Sequence, residues 1–346
     1  MDSSKAGLFQ TIEKISDHEI IIRDQLYGDH TISEPALVEL LQTPELNRLK
    51  GVCQHGVTGL LGLTPVVTRL EHSVGAFLLV RKVGASTAEQ IAALLHDISH
   101  TTLSHVVDYA LTKPGEDSFH EVHKERYLKM TSLPGVLIKH GFKDCQPLHE
   151  DFYPLVEMPA PHLCADRLDY ALRDAVGFEK LPLEDVRRAF RDLKAFPDAS
   201  SPGRLLVLSD ADLALKLARA YLAADRDVWS NRAHADMYSR TGQLIKDMVS
   251  RGSIMEETLW MVSDKEFWEL LRNAANPEEL EIIKALEMDG LPDEEGLRLP
   301  QATKIRSIDP DVCVGGTAPP RPLSEVHEEW AIERKEYIAK RQMERG

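Results

Sequence analysis

Paired thiols are the first thing this chain lacks. Its 346 residues include four cysteines, Cys53, Cys145, Cys164 and Cys313, scattered with no CxxC pair. Neither a zinc ribbon nor a disulfide framework is therefore expected, and a reducing compartment is the natural setting. Long apolar runs are missing too. No stretch approaches the roughly 20 residues a membrane span needs, and the opening MDSSKAGLFQ has no apolar signal core. The expectation is a cytoplasmic protein without membrane contact, with the nucleus left open. Positive charge is in deficit, with 41 Lys and Arg against 56 Asp and Glu, a net of −15. That argues against a broad grip on DNA or RNA, which needs a cationic surface to displace counterions. A local basic pocket for one small phosphorylated molecule remains compatible with it.

What is present reads as an ordinary globular chain, 43% hydrophobic and 28% charged. HEIIIRDQLYGDHTI (18–32) places β-branched residues around a Gly-Asp turn and predicts a short hairpin. Helical periodicity follows in SEPALVELLQ, with Ser33 as a cap candidate, and in TPELNRLKGV, with Pro44 in the first turn. It returns in RLEHSVGAFLLVRKV (69–83) and in TAEQIAALLHD, where Ser86 and Glu89 have capping-box spacing. Further helices are expected at about 119–130, 134–140, 163–176, 210–225, 228–251, 264–274 and 277–287, with a small hairpin around PDASSPG. The fold class expected is all-α, a helical bundle with minor short β-hairpins. Residues 1–17 are taken as an N-terminal extension, 18–290 as one domain, and 291–346 as a Pro/Gly-rich segment ending in a charged helix.

AALLHDISHTTLSH (92–105) is the stretch that carries chemistry. An alanine- and leucine-rich helix, apolar on nearly every side, ends in His96-Asp97, and His100 and His105 follow. A buried carboxylate needs a partner, and a divalent cation is one. His72 in RLEHSVG, His96-Asp97 and Asp166 in DRLDYALRD put a candidate ligand on each of three helices. Imidazole with carboxylate and no thiolate suits Fe, Mn, Co, Ni or Zn, not a closed structural zinc site. Each residue has a plainer reading. A lone helical histidine is usually hydrogen-bonded, and an Asp at a helix end can simply reach water. The helix beginning at Asp166 places Asp166, Asp169, Tyr170, Arg173 and Asp174 on one polar stripe, either a site wall or a wet outer face.

The ordered set His72, His96-Asp97 and Asp166, within RLEHSVG, LLHDISHTTLSH and DRLDYALRD, resembles the HD superfamily of metal-dependent phosphohydrolases. Within it, the similarity is to the branch that includes deoxynucleotide triphosphohydrolases, over about residues 18–250. The resemblance implies an HD-domain helical fold and metal ligands at His72, His96, Asp97 and Asp166. It implies catalytic histidines at His100, His105 and His120, with Asp97 also contributing, and substrate contacts at Gln54, Arg69, Asp108, Tyr170, Asp174, His234 and Tyr238. It also implies a divalent transition metal with room for a second Mg or Mn ion, a phosphorylated and most readily nucleotide substrate, and a capacity for homo-oligomers. If 96–105 were one helix, His105 would point away from His96. A turn at Thr101-Thr102 is therefore expected.

There are departures from the family pattern. Gln42, Asn47 and Lys50 stand where relatives use Asp, Gln and Arg to bind an activating guanine nucleotide, so activation by GTP is not expected. His55, beside Gln54, replaces an aliphatic residue that excludes ribose, which leaves the sugar preference open. Two alternatives stay in play. One is an HD-fold di-iron oxygenase, for which His100, His105, His120 and His123 could supply extra ligands. The other is a non-catalytic nucleotide sensor.

Overall fold

The computed structural model describes residues 10–113, 115–301, 303–315 and 319–345. Residues 1–9 of the expected extension lie outside this set. Helices dominate, but the all-α expectation is corrected, because the described residues form two sheets with seven strands in all. The hairpin expected over 18–32 pairs β2 (Glu19–Asp24) with β3 (Gly28–Ile32), and β1 (Gln10–Ser16) adds antiparallel to the other edge of β2. Alternation along β2 buries Ile20, Ile22 and Asp24, and the apolar pair fixes that face on the core.

The second sheet contains the hairpin expected after RAFRDLKAF, namely β4 (Lys194–Phe196) against β5 (Leu205–Leu208). It continues through β6 (Asp311–Val312), parallel to β5, to β7 (Arg321–Pro322). A parallel partner about a hundred residues downstream leaves no local sequence signal. Segment 291–346 is thereby woven into the body of the protein. Ile308, Leu323 and Trp330 are fully buried, and the last helix, Glu328–Met343, sends the Tyr337 hydroxyl to Asp225 Oδ2 at 2.8 Å.

Three helices form the centre. Arg69–Lys82 is buried from Arg69 to Val80 and packs on Thr87–Leu95 and Ala165–Gly177. It starts with a full capping box, Thr68 with Glu71. Ser86 caps the second helix as expected, but the Glu89 carboxylate accepts from Leu155 N and Arg204 instead of closing the box. The second helix stops at Leu95. The chain then turns through Leu103 and Ser104, both left-handed at φ 57° and 49°, before the helix Val106–Leu111 begins. Left-handed backbone is costly for such residues. Buried Asp264 offsets that cost, accepting from Thr102 Oγ1 at 3.0 Å, Leu103 N at 2.8 Å and Cys53 N at 2.7 Å. The reversal expected near Thr101-Thr102 is what returns His105 toward His100.

Candidate metal centre and substrate pocket

Helices Arg69–Lys82, Thr87–Leu95 and Ala165–Gly177 deliver His72, His96 and Asp166 to one point, with Asp97 following the second helix. His72 Nε2 lies 3.2 Å from His96 Nε2 and 3.0 Å from Asp166 Oδ1. Asp97 Oδ2 is 3.6 Å from His72 Nε2, and Asp97 Oδ1 is 3.8 Å from His96 Nε2. The outer ring nitrogens are committed elsewhere. His72 Nδ1 donates to Asp169 Oδ2 at 2.8 Å and His96 Nδ1 donates to Ala93 O at 2.8 Å. With Nδ1 committed in this way, a cation that displaces the proton at Nε2 would meet an Nε2 lone pair from each ring, the tautomer that metal ligation needs. His72, His96 and Asp97 can place one ligand atom each within 4.8 Å of one another. These donors fit a divalent cation.

The electrostatics have the same sense. Burial opposes the charge on His72, yet its hydrogen bonds to Asp166 and Asp169 and the field of Asp97 raise its pKa to about 10. Burial likewise works against an ionised Asp97, but Arg69, His100 and His96 hold it well below the usual carboxylate range. Asp166 is held down by His72 and His96 against the same burial. The cluster is thus an anionic trap that takes positive charge from whatever cation is offered.

A supporting chain runs behind His72. Asp169 accepts from Tyr27 OH at 2.8 Å and from Arg173 Nε at 3.0 Å, while Arg173 Nη2 donates to Asp24 Oδ2 at 2.6 Å. Asp169 and Arg173 are fully buried, so the polar stripe turns inward along this part of the helix. Gly75 makes room for it. A Cβ there would stand 1.8 Å from Asp169 Oδ1 and 2.5 Å from Arg173 Nη2.

On the other side of Asp97 lie the remaining histidines. His100 Nε2 is 3.3 Å from Asp97 Oδ1, and its ring stacks on His120 with centroids 3.6 Å apart. Burial, followed by the positive field of Arg69, drives the His100 pKa well down; burial and His100 do the same to His120. Asp97, His100 and His120 form a second group able to hold an ion. His105 meets His100 edge-on at 5.0 Å and its Nδ1 is 2.9 Å from Asp108 Oδ2. Asp108, expected at the substrate, is occupied by His105 and by Phe119 N at 2.7 Å, and so orients His105. Arg69 donates to Asp97 Oδ2 at 2.6 Å and to Ser104 Oγ at 3.0 Å, with Nη2 buried and without a protein partner among the described residues.

Aromatic side chains wall the neighbouring space. The Tyr170 ring centroid is 6.2 Å from that of His72, and its hydroxyl is 2.6 Å from Tyr221 OH. Asp174 accepts from His55 Nε2 at 3.0 Å and Trp229 Nε1 at 2.7 Å. Tyr238 meets Tyr109 edge-on at 5.8 Å, and His234 is pushed down to about 4 by burial and by His55. Gln54 Oε1 is buried without a protein partner among the described residues. Gln42 and Asn47, by contrast, are tied to their own helices through Val38 O and Thr43 O.

Sequence reasoning missed several neighbours. Tyr27, Asp24, Trp229 and Tyr221 carry no local motif, whereas Asp169, three residues after Asp166, is on the polar stripe that helical spacing gives. Glu157 and Cys164 join Asp166 in a third possible ligand group, with burial and Asp166 raising Glu157 to about 8.

Comparisons with known proteins give the chain's relatives. No family model matches the chain. The chain is 58% identical to the metal-dependent phosphohydrolase cns2 of Cordyceps militaris, over 99% of both chains. It is 32% identical to the uncharacterized protein YdhJ of Bacillus subtilis, covering 84% of this chain and 88% of that one. The deoxynucleoside triphosphate triphosphohydrolase SAMHD1 of Danio rerio is 27% identical over 46% of this chain and 29% of its own. A hypothetical protein from Aquifex aeolicus shares the fold, with a TM-score of 0.59 and 18% identity over 80% of this chain and 75% of that one. With the ligand geometry and a full-length relative of this identity in hand, the chain belongs to the HD superfamily of metal-dependent phosphohydrolases.

Proposed function

We propose that this enzyme hydrolyses a phosphate ester or anhydride of a nucleotide, with the scissile phosphoryl group between the His72, His96, Asp97 and Asp166 centre and His105. The observation that carries the reading is that His72 and His96 face each other through Nε2 at 3.2 Å, with Asp166 Oδ1 at 3.0 Å and Asp97 Oδ2 at 3.6 Å from His72 Nε2 and the Tyr170 ring at 6.2 Å from that of His72. His72, His96, Asp97 and Asp166 would hold a divalent cation, which would supply Lewis-acid charge and lower the pKa of water at the site. The mixed nitrogen and oxygen set suits Fe, Mn, Co, Ni or Zn without selecting one.

The chain's own residues supply the rest. Arg69 fixes Asp97 and turns its spare Nη2 toward phosphoryl oxygens, a charge-assisted contact. His105, partly exposed and oriented by Asp108, donates a proton to the leaving oxygen and is recharged from solvent. His100 is kept neutral and stacked on His120, so it accepts or donates a single hydrogen bond without adding charge. Tyr170 offers a ring face to the sugar or base, and Asp174, held by His55 and Trp229, offers a carboxylate edge to a sugar hydroxyl. The nucleotide assignment is also supported by the similarity to the deoxynucleoside triphosphate triphosphohydrolase SAMHD1 of Danio rerio.

A second reading is favoured by one feature, the Asp97, His100 and His120 group, which shares Asp97 with the first centre. It would admit a second Mg or Mn ion, or the di-iron chemistry of an oxygenase. Assay of dNTPs, NTPs, nucleoside monophosphates and simple phosphate esters with Mn²⁺, Fe²⁺ or Mg²⁺ tests the proposal. Metal-dependent release of phosphate or polyphosphate supports it. Two irons per chain with no phosphate ester cleaved would support the oxygenase, and nucleotide binding without any turnover would support the sensor.

A further inference from the structure

Segment 303–309 leads into β6 and is pinned on both sides. Arg306 N donates to Asp225 Oδ2 at 3.3 Å, Arg334 Nε donates to Ser307 Oγ at 3.1 Å, and Asp309 N donates to Pro161 O at 2.9 Å. Ile308 is fully buried as the anchor. Between these ties the Arg306 side chain is left about 30% exposed. Its Nη1 bonds Lys304 O at 3.3 Å and sits 3.9 Å from buried Asp225 Oδ1, while Nε and Nη2 have no protein acceptor among the described residues. Asp225 closes the helix Ala211–Ala224 four residues after Tyr221, whose hydroxyl touches that of Tyr170. The guanidinium therefore belongs to the tyrosine side of the pocket, and its field is felt by Tyr170, Tyr221 and Tyr109. Lys304, exposed two residues earlier, acts in the same way on Glu121, beside His120.

A chain of net charge −15 thus sets Arg306 beside these tyrosines with an unused hydrogen-bonding edge, and Lys304 beside Glu121. The first cation of the pocket, Arg69, is committed to Asp97. We propose that Arg306 is a substrate-binding residue supplied by the C-terminal segment, and that it takes an anionic group of the substrate other than the scissile phosphoryl, as found in a nucleoside di- or triphosphate. This deepens the nucleotide reading and rests on it. A planar guanidinium with a free edge suits bidentate contact with phosphate oxygens, which a lysine makes only as a point charge.

Equilibrium dialysis of the full chain and of Arg306→Gln and Arg306→Lys, at 4 °C with Ca²⁺ in place of the transition metal, tests it with four probes: ATP, AMP, inorganic tripolyphosphate and inorganic phosphate. Arg306→Gln is expected to weaken ATP and tripolyphosphate by about tenfold or more, the loss of one charge-assisted pair, with AMP and inorganic phosphate unchanged. Arg306→Lys should recover part of that loss. Equal weakening of all four probes, or no change in any, would overturn the inference, the first pointing to disturbance of the Asp225 anchor. Tripolyphosphate binding that depends on Arg306 in a chain that binds neither nucleotide would leave the inference standing and remove the nucleotide reading. Weakening of AMP alone would overturn the inference and keep that reading.

Discussion

His72 Nδ1 lies 2.8 Å from Asp169 Oδ2, and this contact ties a candidate ligand imidazole to the N-terminal sheet through Arg173 and Asp24. Asp169 is not itself within the group that converges on the centre. Its carboxylate fixes the tautomer and the tilt of His72, and partners of this kind typically govern metal affinity by 10- to 100-fold, roughly. Asp169→Asn is expected to lower the affinity for Mn²⁺ by about that factor while the chain stays folded by circular dichroism. Unchanged Mn²⁺ affinity in a titration would show that the carboxylate has only a packing role.

Gly75 tests the same relation from the opposite side. Alanine there meets Asp169 Oδ1 at 1.8 Å, so either the helix Arg69–Lys82 or the carboxylate must shift. Gly75→Ala should cost about 1–3 kcal/mol in stability and weaken metal binding together. Thermal unfolding and metal titration read the two effects, and loss of neither would contradict the packing described.

Asp108 provides a pH-dependent test. Burial raises its pKa, but the His105 hydrogen bond and charge outweigh that and bring it from 3.8 to about 2. A depressed carboxylate stabilises the fold above its unfolded pKa, and that contribution disappears as pH falls through the folded value. Wild type should therefore be more stable than Asp108→Asn at pH 6, with the gap closing between about pH 4 and pH 2. The same variant should lower kcat with KM nearly unchanged, because it disorients His105 and not the substrate. A gap that persists at pH 2 contradicts the assignment.

His55 bears on sugar selection. Its Nε2 holds Asp174 Oδ1 at 3.0 Å, so part of the edge that would meet a sugar hydroxyl is already engaged. His55→Leu frees that oxygen and places an aliphatic group at the sugar. The ratio of kcat/KM for deoxyribonucleotide over ribonucleotide should rise by about tenfold, near the value of one hydrogen bond to a charged group. Parallel assays of matched nucleotide pairs measure it, and an unmoved ratio would place the sugar elsewhere.

Much of this architecture is legible in the amino-acid order because it is local. The capped helix at Ser86, the buried helix before His96 and the polar stripe from Asp166 come from spacings of three, four and seven residues, while the reversal at Thr101-Thr102 follows from the family resemblance and the stripe's inward direction from the structure. The ligand set needs more than periodicity and is visible through its resemblance to a family. What was not legible is long-range. β6 pairs with β5 across about a hundred residues, β1 joins a sheet from what reads as an extension, and Arg306 is set beside Asp225, some eighty residues earlier. Arg173 illustrates the limit, since its spacing gives the face but not its partner Asp24, nearly 150 residues earlier.

The proposed chemistry rests on His72, His96, Asp97 and Asp166 binding one cation that the enzyme uses to cleave a nucleotide phosphate. It is tested most directly by metal analysis of purified wild type and of a His96→Ala, Asp97→Ala double variant, coupled to product release from a panel of nucleotides. The account predicts a transition metal in the wild type, nucleotide cleavage that chelation abolishes and added Mn²⁺ restores, and loss of both metal and turnover in a double variant that remains folded. Nucleotide cleavage surviving in that metal-depleted variant would contradict it.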